Sequence, residues 1–512
     1  MKSISFFLVG LGLLGVIVLR AFAQTPDLGT IQFPTSALAT AQPSFVTGVK
    51  ALHNFEFDEA REAFQSAQKL DPKFALGYWG EAMSYNHPLW YEQDLNAARA
   101  TLNRLATTPA ERARKAPPGK ERDLIEAIDV LYGEGDKLAR DTAYAAALQR
   151  LYERYPGDHE IACLYALSLL GTVRPGDHGF RRQMLAASIA GAVFRENPNH
   201  PAAAHFIIHA FDDPEHAPLG LPAARAYAKI APAAPHALHM PSHIYVQLGM
   251  WTDVVASNEV AYAAAVAQVD RKHLPHGRED FHTLSWLEYG LLQLGKFDEA
   301  KACVEKARKT AAIDTSSRVQ DGLASMHARY IIETERWTEM PLRDTASHGS
   351  GAESEAHMQH AYGGSADALL AAGLSAAKLG NVEAAARAEA ALKAERERVA
   401  ASTGSGYRRK PLAIMESEVS AAIAIAKRDP VEAERLLKEA TARELALDPP
   451  SGPADPLKPS FELYGEWLLD MNRPKEAAAQ FEQSLLRMPK RALSLRGWSR
   501  ASGRPAGTAV SR

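Results

Sequence analysis

Cysteine is almost missing: Cys163 and Cys303 are the only two in 512 residues. Two thiols so far apart make no disulfide framework, and both read as small buried apolar side chains. Beyond the first 20 residues no apolar run is long enough to cross a bilayer, which takes about 20 such residues. A surplus of one charge is also lacking. With 58 Lys+Arg against 61 Asp+Glu the formal charge is −3, which gives no electrostatic reason to bind nucleic acid. There is no Gly-x-Ser-x-Gly elbow, no Gly-x-x-x-x-Gly-Lys run and no Cys-x-x-Cys pair. Sustained apolar/polar alternation is absent too, and with it the sequence signal for a sheet.

What is present is ordinary globular material, 46% hydrophobic and 23% charged, which excludes wholesale disorder. At the N-terminus Lys2 precedes an apolar stretch from Phe6 to Leu19, then Ala21-Phe22-Ala23. A basic start, a short apolar run and small residues before the cut predict a cleaved export signal over 1–23. The expected address is outside the cytosol, periplasmic if the cell is Gram-negative and otherwise secreted, with no membrane span after cleavage.

The rest of the chain repeats itself. Phe57-Asp58-Glu59-Ala60, with Phe64, Ala67 and Pro72, matches Lys475-Glu476-Ala477, with Phe481, Ser484 and Pro489, at one constant displacement. Phe297-Asp298-Glu299-Ala300 with Val304 and Ala307 follows the same register. Upstream of these lie second helical stripes ending in short polar turns, such as Gln293-Leu294-Gly295-Lys296 and Met471-Asn472-Arg473. Paired helices with a Gly/Asn turn make a hairpin, and the spacing resembles the tetratricopeptide repeat. The expected fold is all-α, a TPR-like α-solenoid in which helical hairpins form a right-handed superhelix.

Composition breaks divide the chain further. After the signal, 24–40 reads as a lead-in, 41–106 as N-terminal TPR-like repeats, and 107–199 as helical hairpins opened by a Pro-rich connection. A His-rich helical region covers 200–283 and further repeats cover 284–401. A linker at 402–416, C-terminal repeats at 417–498 and a disordered tail at 499–512 complete the order.

Histidine is concentrated in the centre: seven of 18 lie between His200 and His243. His205 and His209 are four apart and share one face of a helix; His239 and His243 have the same spacing. With Asp212 these four form the candidate metal set, since imidazole and carboxylate suit Zn, Cu or Fe. The segment is not a zincin motif, because Phe206 stands where the catalytic Glu would be. A concave ligand groove is the other candidate, lined by His53, Trp79, Glu81, Tyr85, His87, Trp90, Asp213, His216, His236 and His282. Simple packing across a repeat interface is the plain alternative for any of these histidines.

The run Tyr78-Trp79-Gly80-Glu81 through Asn86-His87-Pro88-Leu89-Trp90 resembles exported bacterial tetratricopeptide-repeat proteins of unassigned function. So do Ala204-His205-Phe206-Ile207-Ile208-His209 with Asp212-Asp213-Pro214, and Pro235-His236-Ala237-Leu238-His239-Met240-Pro241-Ser242-His243. That likeness implies a helical repeat protein and transfers no catalytic residue. The leading expectation is therefore a scaffold whose groove binds a protein, peptide or small ligand. The second is a metal-binding protein or metal-dependent enzyme with its histidines between facing helices.

Overall fold

In the computed structural model, described for residues 27–174, 176–177, 179–340, 365–401 and 411–505, the chain is an all-α, TPR-like solenoid of helical hairpins. Residues 1–23, where the sequence predicts an export signal, lie outside the described residues. Among the described residues the strands are two residues long, Asn86–His87 pairing antiparallel with Glu92–Gln93.

The repeat has a physical core that the sequence pattern encodes. α1 (Gln42–His53) and α2 (Phe57–Leu70) form the first hairpin, and α3 (Ala75–Met83) opens the next. Ala60, Phe64 and Ala67 lie along one face of α2 at helical spacing, and all are buried. The Phe64 ring wedges between α1 and α3 because both present glycine there. A Cβ at Gly48 would come within 2.7 Å of that ring, and one at Gly80 within 2.2 Å. The same wedge recurs near the C-terminus, where Phe481 sits against Gly465 and Gly497 at 2.8 and 2.2 Å by the same measure.

The hairpin turns share one device. Phe55, Gly249, Gly295, Glu335, Gly380, Arg428 and Asn472 all take positive φ. After each, the next N–H reaches back to a carbonyl five residues earlier, as from Glu56 to Ala51 at 3.0 Å and Lys296 to Leu291 at 2.9 Å. This left-handed C-terminal cap favours glycine, then asparagine. Phenylalanine at 55 is the bulkiest exception.

α4 (Leu95–Leu105), α5 (Pro109–Lys115), α6 (Lys120–Leu131), α7 (Lys137–Arg154), α8 (His159–Leu170) and α9 (Arg181–Glu196) continue the stack. Here the expected connection at 107–120 is partly helical. Thr108 accepts from the Glu111 N–H while Glu111 reaches back to Thr108, a capping box that starts α5 at Pro109. Likewise, helix begins at Leu412 inside the expected linker, and the last helix runs on to Ser502. The lead-in is not loose from 27 onward, since Leu28, Ile31 and Phe33 are buried.

α10 (Pro201–Ala210), α11 (Ala217–Ile230), α12 (Pro235–His239), α13 (Pro241–Gln247), α14 (Trp251–Arg271) and α15 (Phe281–Gln293) hold the centre. Pro241 has no N–H to donate, so the helix breaks there and resumes as α13 after Met240. One apolar core runs from Leu28 to Ile244 and a second from Val255 to Trp498. α12 and α13 lie at their junction. The C-terminal part folds back onto this junction, with Trp251 Nε1 donating to the Lys490 carbonyl at 3.0 Å and Gln247 to that of Pro450 at 2.9 Å. The buried Arg491 ties the ends together through Glu462 and Glu333.

Candidate metal centre

Two triangles of imidazole nitrogens stand side by side at that junction. In the first, His205 Nε2 lies 3.1 Å from His209 Nε2 and 3.2 Å from His236 Nε2. In the second, His239 Nε2 lies 3.2 Å from His243 Nε2 and 3.1 Å from His282 Nε2. A tetrahedral ion with metal–nitrogen bonds of about 2.0–2.1 Å spaces its ligands about 3.3–3.4 Å apart. Two edges of each triangle are therefore close to the length that one small transition-metal ion needs, and the third is within 4.8 Å. The triangles adjoin, with ring centroids 5.8 Å apart for His209 and His243 and 6.3 Å for His236 and His239.

The local sequence explains the convergence. α10 carries His205 and His209 one turn apart, so both face the same way. α12 adds His236 to the first triangle and turns His239 toward the second. The break at Pro241 then re-aims the chain so that α13 presents His243 beside His239. His282 arrives from the first turn of α15, whose N-terminus Asp280 caps by accepting from the Thr283 N–H at 3.1 Å.

Groups behind the rings fix which nitrogen carries the proton. His205 Nδ1 donates to the His53 carbonyl at 2.7 Å, leaving a lone pair on Nε2. Asn258 Nδ2 donates to the Val254 carbonyl at 2.8 Å, so its Oδ1 must face His239 and accept from His239 Nδ1 at 2.6 Å. His243 Nδ1 donates to Asp212 Oδ2 at 2.6 Å, and Gln247 supports the other carboxylate oxygen at 3.2 Å. Acceptors of this kind orient metal-bound imidazoles and raise their basicity.

Desolvation disfavours the charged form of His205, His209, His236, His239 and His282. Burial pushes His205 down to about 3, and burial followed by repulsion from neighbouring imidazoles holds His209, His236 and His239 well below the ordinary histidine range. Neutral imidazole is the form that binds metal. An aromatic wall backs each triangle. Phe55 packs on His205 and His236 at centroid distances of 4.3 and 5.5 Å, and Trp286 on His239 and His243 at 4.9 and 4.5 Å. His205 and His239 are buried while His282 is exposed, so the centre is reached from the His282 side.

The sequence-derived set is thus rearranged. His205, His209, His239 and His243 do converge, though as halves of two sites rather than as one. His236 and His282, assigned to the groove, complete the triangles. Asp212 stands behind His243 instead of among the converging nitrogens. Trp90 approaches His236 at 6.3 Å and Phe55 at 5.4 Å. Asp213 and His216 bond each other at 2.9 Å, with Asp213 also accepting the His216 N–H, in the turn that precedes α11. Tyr85 lies under Arg61 at 4.8 Å and His87 stacks on Phe57 at 4.0 Å.

Three groove candidates are buried instead of lining a concave surface. Trp79 is enclosed in the first core, and Glu81 is held by Gln65, Gln68 and Arg104. His53 bonds Glu160 at 2.6 Å, and His200 bonds the other oxygen of the same carboxylate at 3.1 Å. Burial alone would raise Glu160, but the two histidines hold it down to about 2. Helices cover both sides of the hairpins here, which removes these side chains from solvent. Sequence reasoning missed Phe55, Trp286, Asn258 and Glu56. Glu56 accepts the His236 N–H at 3.1 Å, and burial, then Glu59, raises its carboxyl to about 7.

No family model matches the chain, and no curated protein matches it. Among solved structures it is similar to the human IFIT1 dimer with m7Gppp-AAAA, at 12% identity and TM-score 0.35, covering 93% of this chain and 91% of that one. It is also similar to yeast Tom70, at 11% identity and TM-score 0.35, over 90% and 95% of the two chains. The APC/C hetero-tetramer Cut9–Hcn1 matches at 11% identity and TM-score 0.34, over 90% and 76%. Likenesses at these scores carry no argument about the site.

Proposed function

We propose that this chain is an exported metalloprotein in which a TPR-like solenoid holds two adjacent tris-histidine sites for transition-metal ions. One observation carries the reading. Six imidazoles from four helices converge through Nε2 in two triangles, and the tautomers of His205, His239 and His243 are set from behind so that lone pairs point inward. Three protein ligands per ion leave open coordination positions, as catalytic metal sites do. The ions would then activate water or another small molecule bound between them. Imidazole donors suit Zn, Cu and Fe and are poor ligands for Mg or Ca.

A helical-repeat solenoid typically serves as an interaction scaffold. On this reading the exposed side at His282 is where a peptide or small ligand meets the ions. Export, inferred from the N-terminal sequence, would place the centre outside the cytosol.

Metal analysis of the protein purified without a polyhistidine tag tests the reading, beside a His205→Ala/His239→Ala variant. Near two ions per chain in the parent and none in the folded variant is the expected result. A folded parent without metal, which also takes up none on addition of Zn or Cu, overturns it and returns the chain to the scaffold class.

A further inference from the structure

Four features of the centre specify its chemistry further. The first is the ligand charge. All six converging atoms are imidazole nitrogens, and the carboxylate of Asp212 stands behind His243 rather than among them. Two divalent ions would bring four positive charges to neutral ligands between Phe55 and Trp286. Two Cu(I) ions bring half that charge, and three-coordinate nitrogen ligation satisfies Cu(I) without an added water. Copper(II) also stands at the top of the affinity order for nitrogen sites.

The second feature is the space behind the first triangle. A cavity of about 30 Å³ lies between Leu52, Phe55, Met83, Leu131 and Leu164, room for one or two diatomic molecules. Polar side chains on its boundary are engaged by other protein groups: Ser168 donates to the Tyr165 carbonyl, Asp141 pairs with Lys137, His53 bonds Glu160, Asn86 accepts from Gln93 and Tyr144 donates to Met83 Sδ. An apolar space of this size retains a small nonpolar gas better than water.

The third feature is the partition. Phe55 lines the cavity and packs on His205, so its ring belongs both to the cavity wall and to the wall of the first triangle. The fourth is the backbone of that residue. Phe55 has φ of +56° at a turn where three equivalent positions use glycine and the other three use Glu335, Arg428 and Asn472, none of them aromatic. A bulky residue held there costs on the order of 1 kcal/mol, which is tolerated where its side chain has a task.

Building on the metal reading above, we infer that the two sites form a copper pair and that dioxygen, drawn from the cavity behind Phe55, is its co-substrate. With copper bound, each Cu(I) would give one electron, so that O2 would be reduced to the peroxide level. An organic two-electron donor of the hydroquinone class returns both electrons to the copper ions. Its two protons pass to the peroxide, which leaves as H2O2; the balance is O2 plus DH2 giving H2O2 plus D.

The full chain, stripped of metal and loaded with Cu(I) under argon, is exposed to a known amount of O2 without reductant. We expect one O2 consumed per two bound copper ions and a near-ultraviolet charge-transfer band that is absent under argon. A Cu(I)-loaded protein that consumes no O2 overturns this inference while leaving the metal reading standing. A protein that binds no metal overturns both. For the route, xenon should occupy the cavity in pressurised crystals, and Leu164→Phe should slow O2 uptake several-fold at unchanged copper content. If uptake in that variant equals the parent's and xenon stays out, the cavity is not the source.

Discussion

His239 and His243 aim their Nε2 atoms at each other across 3.2 Å, although each ring has already committed its Nδ1 proton to an acceptor, Asn258 and Asp212 respectively. In the neutral state two lone pairs therefore face one another inside the protein. A cation between them relieves the repulsion, and His282 at 3.1 Å from His239 supplies the third donor. In the first triangle only His205 has its Nδ1 proton committed, to the His53 carbonyl, and the two triangles share no imidazole, so each site should load by itself.

Independence gives the first prediction. His205→Ala should remove the metal of the first triangle, and His239→Ala that of the second, each halving the ions bound per chain. A chelator should lower the melting temperature of the parent, because an ion at about 100 times its Kd stabilises by about 2.7 kcal/mol per site. Equal melting temperatures with and without chelator, in protein shown to carry metal, would contradict a site formed only in the folded chain.

Asp212→Asn tests the support behind the second triangle. The amide keeps the size of the carboxylate but weakens the hydrogen bond that orients His243. Losing such an outer partner lowers metal affinity about 10–100-fold. Titration with a competing chelator should show this loss for one ion while the other, held by His205, His209 and His236, binds as before. Loss of both ions together would mean that Asp212 supports the helices rather than the His243 ring.

The sequence exposed what depends on local period and hid what depends on assembly. Phe64 and Phe481, with their flanking glycines, mark the repeat because a wedge between helices needs a large residue opposite small ones. His205 with His209, and His239 with His243, were visible because four residues make about one helical turn. His236 carried a signal as well, three residues before His239, but its role depends on the break at Pro241. His282 joins from α15, and its approach is set by the packing of α14 between them. Asn258 and the His53 carbonyl left no pattern to read, since a backbone oxygen has no residue type. The groove assignment of His53, Trp79 and Glu81 failed because the helices there are covered on both sides.

Phe55→Gly sets two effects against each other. Glycine relieves the left-handed backbone at φ +56°, on the order of 1 kcal/mol. It also deletes a ring that packs on Phe57, Trp90 and three histidines, and removing a buried Phe costs about 3–5 kcal/mol. The ring should win, leaving the metal-free variant less stable by about 2–4 kcal/mol. A chemical denaturation midpoint equal to or above that of the metal-free parent would show that the ring contributes little packing.

Glu288 should make stability fall as pH rises. It is fully buried on α15, and burial raises its carboxyl to about 8, only partly offset by Arg329 at 3.3 Å, with Glu333 adding to the rise. In the unfolded chain the same group titrates near 4.5. Between those values the folded protein holds a proton that the unfolded chain has released. The contribution is complete below 4.5 and is lost as pH rises through 8, by about 1.4 kcal/mol per pH unit for one proton. Glu160 acts in the opposite sense: with its carboxyl near 2, its contribution is present above 4.5 and lost as pH falls toward 2. Glu288→Gln keeps the neutral shape at every pH. The difference in stability between variant and parent should therefore grow in the variant's favour from pH 5 to pH 8. A difference that stays flat across that range would show that Glu288 is ionised in the folded protein, with Arg329 holding its charge.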